Sequence, residues 1–280
     1  MGFGVVGVVG VGLIGGSLGM CLKRDALAAR VLGIGRSPAR LETAVRLGAI
    51  DEAVSLEAAA GVCDWIFCCT PVSHIVHTLS ELALMNRRMD QVVTDVGSVK
   101  RLICRAGVAL GGSFVGGHPM AGAEQAGVES ARADLFEAAR WAICAVEAPG
   151  GDRSAERLAE LVRATGAHPV QIDPDTHDAE VARSSHLPHL AAVALALTAA
   201  QGPIHGLSAG SLRDGTRVAS SSGEIWADIL LDNADMVLES TDLLQTHLDA
   251  LRNVIAARDR EAIMHAFDQA HQARKRLGLV

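Results

Sequence analysis

Up to about residue 172 the chain alternates short, nearly unbroken apolar runs with longer stretches whose apolar residues recur every three or four positions. The runs are FGVVGVV (3–9), VLGI (31–34), WIFCC (65–69), QVVTD (91–95), SFVGG (113–117), WAICAV (141–146) and HPVQI (168–172). A run with no polar alternation predicts a strand covered on both faces. Between the runs, residues 13–23, 38–47, 74–84, 100–110 and 154–165 read as amphipathic helices. Strands and helices in this alternation predict an α/β fold, a doubly wound Rossmann-type sheet, mostly parallel, with helices on both faces.

The pattern changes after QIDPDTHDAE. From about residue 175 onward only helical spacing is found, in HDAEVARSSHLPHLAAVALALTAA, GEIWADILLDNADMVLESTDLLQTHLDALRNVIAARD and REAIMHAFDQAHQARKRLG. The boundary is therefore placed at Pro174, between an α/β domain (1–173) and an all-helical domain (174–280). Long helices this rich in apolar positions need partners, so a homodimer formed through the helical half is expected, with a self-contained bundle as the alternative.

Composition narrows the class. The 280 residues are 49% hydrophobic and 20% charged, ordinary for a packed protein in water. No run of about 18 uncharged apolar residues is present, so no membrane span is expected. The apolar opening MGFGVVGVVGVGLIGGSLG lacks the basic segment of a signal peptide. A net charge of -7 with no basic tract argues against nucleic acid as a partner. Cys21, Cys63, Cys68, Cys69, Cys104 and Cys144 form no C-x-x-C and sit in apolar settings. They read as small buried hydrophobes in a reducing compartment, hence a cytoplasmic location.

The first turn carries chemistry. Gly10-x-Gly12-x-x-Gly15 follows the first strand and opens the first helix. In a dinucleotide fingerprint the first glycine permits the turn, the second admits a pyrophosphate, and the third lets helix and strand pack closely. The N–H groups of a helix start, here Leu13 and Ile14, then face the phosphates. Thr70 and Pro71, after the strand WIFCC, join this cofactor-binding set. NAD-binding versions usually end the second strand with a carboxylate. Here that end reads VLGIGRSPAR, with Arg36, Ser37 and Arg40. A guanidinium there suits a 2′-phosphate, so NADP is preferred over NAD; the plainer alternative is a solvated Arg36.

Four further stretches, TDVGSVK (94–100), GGHPMAGAEQAG (116–127), SSHLPHL (184–190) and LRDGTR (212–217), resemble the prephenate/arogenate dehydrogenase family. The resemblance runs from Gly10 to about Trp226 and includes the two-domain order. It implies oxidative decarboxylation of a cyclohexadienol: hydride to a nicotinamide, the ring hydroxyl's proton to a base, and loss of carbon dioxide. By resemblance His118 is the base or acceptor at the hydroxyl, and the glycines around it are read as admitting a ligand closely. The plainer alternative is a loop histidine bonded to a backbone carbonyl.

Ser98 matches a family serine beside that histidine and also reads as the N-cap of a helix beginning at Val99. Lys100 is read as pairing locally. Arg217 is taken as the clamp for a substrate carboxylate, with Arg213 four residues earlier on one helical face; one of the two could instead form a salt bridge between domains. His189 is assigned to the substrate side chain, and Gly122 and Glu124 to the same pocket. The family pattern is broken at Leu212, at Gly215 and in SSSGEIW, which blurs the pocket wall. The pairs His186/His189 and His74/His77 have metal-compatible spacing but no evident third ligand, and no metal is expected.

Two rivals remain. β-Hydroxyacid dehydrogenases share the two-domain plan but use an interdomain lysine, and the helical half here contains only Lys275. A non-catalytic NADP sensor would be expected to lack the base or the clamp.

Overall fold

The computed structural model describes residues 2–88, 90–122, 125–202 and 207–279. They divide into two compact units, one ending at Asn233 and one beginning at Ala234. In the first, eight strands form one sheet: β1 (Val5–Val9), β2 (Arg30–Ile34), β3 (Glu52–Ala53), β4 (Trp65–Cys68), β5 (Val92–Asp95), β6 (Phe114–Pro119), β7 (Arg140–Ala145) and β8 (His168–Gln171). Their order is β3-β2-β1-β4-β5-β6-β7-β8. Every neighbouring pair is parallel except β6 and β7.

The apolar runs are continuous because both faces are covered. Along β4, Trp65 and Phe67 enter one core with Val6, Val8, Leu18 and Trp141, while Ile66 and Cys68 enter the other with Leu32, Ile75, Leu79 and Phe114. Strand geometry sends successive side chains to opposite faces, so each strand feeds two cores. The covering helices are α1 (Leu13–Arg24), α2 (Pro38–Arg46), α3 (Leu56–Val62), α4 (Val72–Leu84), α5 (Arg101–Gly107) and α6 (Gly151–Ala164). From β1 the chain moves to β2 on one side and later to β4 on the other. This reversal opens a crevice at the carboxyl ends of the strands, where such sheets bind ligands.

Three expectations shift. β3 and α3 were not anticipated, being a two-residue exposed strand and a seven-residue, alanine-rich helix. The helix expected over 100–110 ends at Gly107 and tightens into a 3-10 segment, Val108–Ser113. The stretch expected as one helix from residue 175 is two: α7 (Pro174–Val181) and α8 (Leu187–Ala199), joined by a π turn over Ala182–His186. Pro188 supplies the reason: it has no N–H to continue the ladder, so the helix must widen before it. This unit ends with α9 (Gly210–Thr216) and α10 (Gly223–Asp232).

The second unit is the pair α11 (Ala234–Ala256) and α12 (Arg260–Arg276). Asp259 caps α12, accepting from the Ala262 N–H at 3.0 Å. Leu238, Leu243, Leu248, Leu251, Ile255, Met264 and Phe267 are exposed along the two helices. Among the described residues no helix is long and apolar enough to cross a membrane. The six cysteines are free thiols, five buried and Cys69 half-buried.

Candidate active site

The glycine turn is made by close packing on two sides and open space on the third. Gly10 has φ +88, a conformation that favours glycine, and its N–H donates to the Ile34 carbonyl at 2.8 Å. A Cβ at Gly10 would lie 2.6 Å from Thr70 Cγ2; one at Gly15 would lie 2.4 Å from the Gly10 carbonyl oxygen. At Gly12 a Cβ would meet nothing within 4 Å among the described residues. Gly12 is also the N-cap of α1 and offers no side-chain cap, so the first helical N–H groups, Leu13 and Ile14, have no partner within the helix. Beside the turn, Thr70 Oγ1 is buried without a hydrogen-bond partner, and Pro71 caps α4. Open approach at Gly12, unpaired donors and an orphaned hydroxyl fit a dinucleotide's phosphates.

At the tip of β2, Arg36 and Arg40 are exposed and make no described ion pair. Ser37 is occupied as the cap of α2, accepting from the Arg40 N–H at 3.4 Å.

Three strands from β1 along the same edge, β6 presents His118. Its ring nitrogen Nδ1 lies 2.9 Å from His177 Nε2, and His177 Nδ1 lies 2.7 Å from Asp178 Oδ1. His118 is half-buried; His177 and Asp178 are buried. Asp178 is thoroughly bonded: Oδ1 accepts from the Lys100 N–H (2.7 Å), and Oδ2 from the Arg101 N–H (2.9 Å) and Nε (3.4 Å). Asn233 donates to the Asp178 carbonyl at 2.8 Å and accepts from Arg101 at 3.1 Å.

Beneath this chain lies a buried ion pair. Lys100 Nζ donates to Asp95 Oδ2 and, at 2.7 Å, to the Gly117 carbonyl. Asp95 also accepts from the Gly97 N–H (2.7 Å) and the Gly117 N–H (3.0 Å). The local role read for Lys100 is therefore met, and its partners fix the strand segment immediately before His118. Burial pushes the His118 imidazole well below its ordinary range, and the neighbouring titratable groups His177, Lys100 and His186 act in the same direction. Burial alone would raise Asp178, but hydrogen bonds from His177 and from the Arg101 and Lys100 N–H groups outweigh it and hold the carboxyl low. His186 is pushed down to about 4, chiefly by burial and against the pull of Asp178.

Several expectations are corrected by this geometry. The glycines preceding His118 do not make room for a ligand. A Cβ at Gly116 would lie 2.7 Å from Cys104 Sγ, and one at Gly117 would lie 2.6 Å from the Asp95 carbonyl oxygen. They let β6 pack against β5 and α5; only Gly122, exposed with open space around it, keeps the expected freedom. Ser98 is half-buried at the end of the β5 turn and caps no helix: α5 begins at Arg101, and its first N–H groups are capped from a distance by Asp178. Arg213 lies on α9, whereas Arg217 has left that helix for a 3-10 turn, Arg217–Ser220, so the two do not share one helical face. Both are exposed.

His189 Nδ1 lies 2.9 Å from the Ser185 carbonyl, so that nitrogen carries the proton and donates. Its ring stacks on Trp226 with centroids 3.7 Å apart, and His186 meets the same indole edge-on at 5.9 Å. Glu124 falls outside the described residues. Among the described residues no group of three or more His, Cys, Asp or Glu is placed to hold a metal ion. His177 and Asp178 were absent from the sequence-based site. The available signal was Asp173-Pro174, a cap and first-turn pair, which fixes the helical phase of the His-Asp pair that follows.

Comparison with known proteins agrees over the whole chain. The nucleotide-binding-domain model of prephenate dehydrogenase matches residues 18–171, and the dimerization-domain model of prephenate dehydrogenase matches residues 173–269. The prephenate dehydrogenase of Bacillus subtilis is 34% identical, with 97% of this chain and 76% of the relative covered. A prephenate dehydrogenase from A. aeolicus, solved with hydroxyphenyl propionate and NAD+, superposes with a TM-score of 0.91 at 28% identity over 99% of each chain. Synechocystis arogenate dehydrogenase gives 0.85 at 29% identity over 98% of this chain and 99% of its own. By contrast, a 3-hydroxyisobutyrate dehydrogenase of Salmonella typhimurium gives 0.56 at 18% identity over 90% of this chain and 94% of its own, a likeness of fold alone. With both domains matched in order and the glycine turn in place, the chain belongs to the prephenate/arogenate dehydrogenase family of nicotinamide-dependent oxidoreductases.

Proposed function

We propose that this protein oxidatively decarboxylates prephenate, arogenate or both, in tyrosine biosynthesis, with His118 receiving the proton of the ring hydroxyl. The carrying observation is an imidazole anchored through Nδ1 to His177, at the same carboxyl edge of the sheet as the glycine turn; burial acts against its charged form. A nicotinamide dinucleotide held at that turn by Gly10, Gly12 and the Leu13 and Ile14 N–H groups would supply the hydride acceptor for the ring carbon that bears the hydroxyl. His118 takes the hydroxyl proton; the ring's bond to its carboxylate breaks, carbon dioxide leaves, and the ring becomes aromatic. The residues of the chain thus move one proton and orient the ring, while no acid is needed at the departing carboxylate.

Arg217, with Arg213, binds a substrate carboxylate; their exposure leaves both accessible to an anionic ligand. Ser98, His189, Gly122 and Glu124 complete the substrate pocket. Gly10, Gly12, Leu13, Ile14, Gly15, Thr70 and Pro71 hold the dinucleotide, and NADP is preferred over NAD because Arg36 and Arg40, not a carboxylate, stand at the tip of β2. The protein works as a cytoplasmic homodimer. The match to a dimerization domain and the exposed leucines of α11 support pairing, and the free thiols support a reducing compartment. The boundary between the dinucleotide-binding part and the helical part is placed at Pro174, inside the first compact unit; the meeting point of the two family matches and the first residue of α7 support it.

The test is the absorbance of reduced nicotinamide with each substrate paired with NADP and NAD. Turnover with prephenate or arogenate, faster with NADP, is expected. No turnover in any pairing would contradict the reading.

A further inference from the structure

The hydrogen-bond chain behind His118 has a direction, because its far end can only accept. The Asp178 carboxylate already takes N–H bonds from Lys100 and Arg101. His177 Nδ1, 2.7 Å from Oδ1, must therefore carry a proton and donate it. With one ring proton, His177 keeps a lone pair on Nε2, and that atom faces His118 Nδ1 at 2.9 Å. His118 Nδ1 must then be the donor, which leaves the lone pair on His118 Nε2. Each step follows from donor and acceptor counting, and the sequence separation of 59 residues makes it a tertiary device.

We propose that His177 and Asp178 are positioning residues that fix the tautomer of His118, leaving Nε2 bare to take the ring-hydroxyl proton, and that they receive the charge this creates. The inference rests on the function proposed above. The bond from the hydroxyl oxygen to its proton breaks, and the proton joins His118 Nε2. His118 then passes its Nδ1 proton to His177 Nε2. His118 ends neutral with its proton on Nε2, and the positive charge rests on His177, whose Nδ1–H already meets the Asp178 carboxylate. This resolves a conflict in the site: the His118 imidazole, with the Lys100 ammonium held on the carbonyl of the preceding residue, resists holding a cation, while one ring further on a carboxylate is waiting.

The rest of the network follows from the same role. Asp178 is held on both oxygens by the start of α5, and Asn233 fixes its backbone carbonyl at 2.8 Å. His177 Nδ1 therefore meets an acceptor whose own position is fixed.

The experiment uses the full chain with ¹⁵N-labelled imidazoles, read by NMR without substrate, beside steady-state kinetics of two variants. In the unmodified protein the ring proton of His118 is expected on Nδ1 near neutral pH; a proton on Nε2, or exchange between the two nitrogens, would overturn the proposal. His177→Phe keeps a ring but offers no acceptor, and kcat should fall by about two orders of magnitude while KM and nucleotide Kd stay within about twofold. His177→Gln places an oxygen where it can accept from His118 Nδ1 but cannot take its proton. It should keep the tautomer and recover about tenfold in kcat over the Phe variant. Turnover within twofold of the unmodified protein in the Phe variant, or a Gln variant no better than Phe, would overturn the proposal. If the Phe variant fails to fold, the spectrum of the unmodified protein and the Gln variant still decide. A protein that turns over neither substrate contradicts the proposed function, while the spectrum still reports the tautomer, so the two failures are separable.

Discussion

The glycine turn at residues 10–15 and the histidine chain behind residue 118 lie along one edge of one sheet, yet they are built in opposite ways. The turn works by leaving things out: no side chain at Gly12, no cap on α1, and a donor-rich helix start facing open space. Its parts lie within six residues, so spacing alone carries the information. The histidine chain works by adding partners: three side chains, a helix start and an ion pair converge from β5, β6, α5 and α7. A phosphate site needs only correctly aimed backbone, whereas a proton site needs a particular nitrogen left bare. The second requirement consumes long-range contacts.

The largest effect that sharpens this contrast is on the side-chain half. His118→Ala should lower kcat by about two to four orders of magnitude with nucleotide Kd nearly unchanged; equal losses in both would merge the two regions into one. Next come two glycine substitutions in the backbone half. Gly15→Ala should cost the fold, because its Cβ would sit 2.4 Å from the Gly10 carbonyl oxygen. Gly12→Ala meets nothing within 4 Å among the described residues. It should weaken nucleotide binding about tenfold while stability changes by at most about 1 kcal/mol. Paired melting and titration curves check both, and equal melting losses would refute the distinction. Arg36→Ala should weaken NADP by about fivefold or more relative to NAD, the size of a partly exposed ion pair; a ratio below twofold would leave Arg36 merely solvated.

The remaining effect is that of pH, read on stability and not on binding. His186 has a folded value of about 4 against 6.5 as an ordinary imidazole, and His118 is lowered in the same direction. Below about pH 6.5 the unfolded chain therefore binds protons that the folded chain refuses, so stability should decline from there toward pH 4. Melting temperatures across that interval check the sign. For the same reason the acid limb of kcat/KM should lie well below pH 6.5; a limb at 6.5 would mean that His118 titrates as an exposed imidazole.

Much of the fold was legible because the parallel strands are buried on both faces and leave nearly unbroken apolar runs, and because Ser37 and Pro38 mark the start of α2 in the sequence itself. Glu52–Ala53 was illegible: two exposed residues carry no periodicity. In the site, His118 stood out among small residues, but the reason for its glycines did not. Gly117 yields to the Asp95 carbonyl, a neighbour that only the sheet brings near. His177 and Asp178 open the segment HDAEVARSSHLPHLAAVALALTAA, whose helical reading says nothing of what its polar residues face; polar residues turned to a buried network have no apolar partner to betray them. Ser98 shows the converse. Its local signature of a helix cap was plausible, but the cap was supplied from 78 residues away.

The most direct measurement of the central claim is the placement of the His118 ring in a crystal of the ternary complex with NADP and hydroxyphenyl propionate. The account predicts His118 Nε2 within about 2.6–3.2 Å of the phenolic oxygen, with Nδ1 still on His177 and the nicotinamide on the opposite face of the ring. A phenolic oxygen bonded elsewhere, with His118 turned away from the ligand, would contradict it.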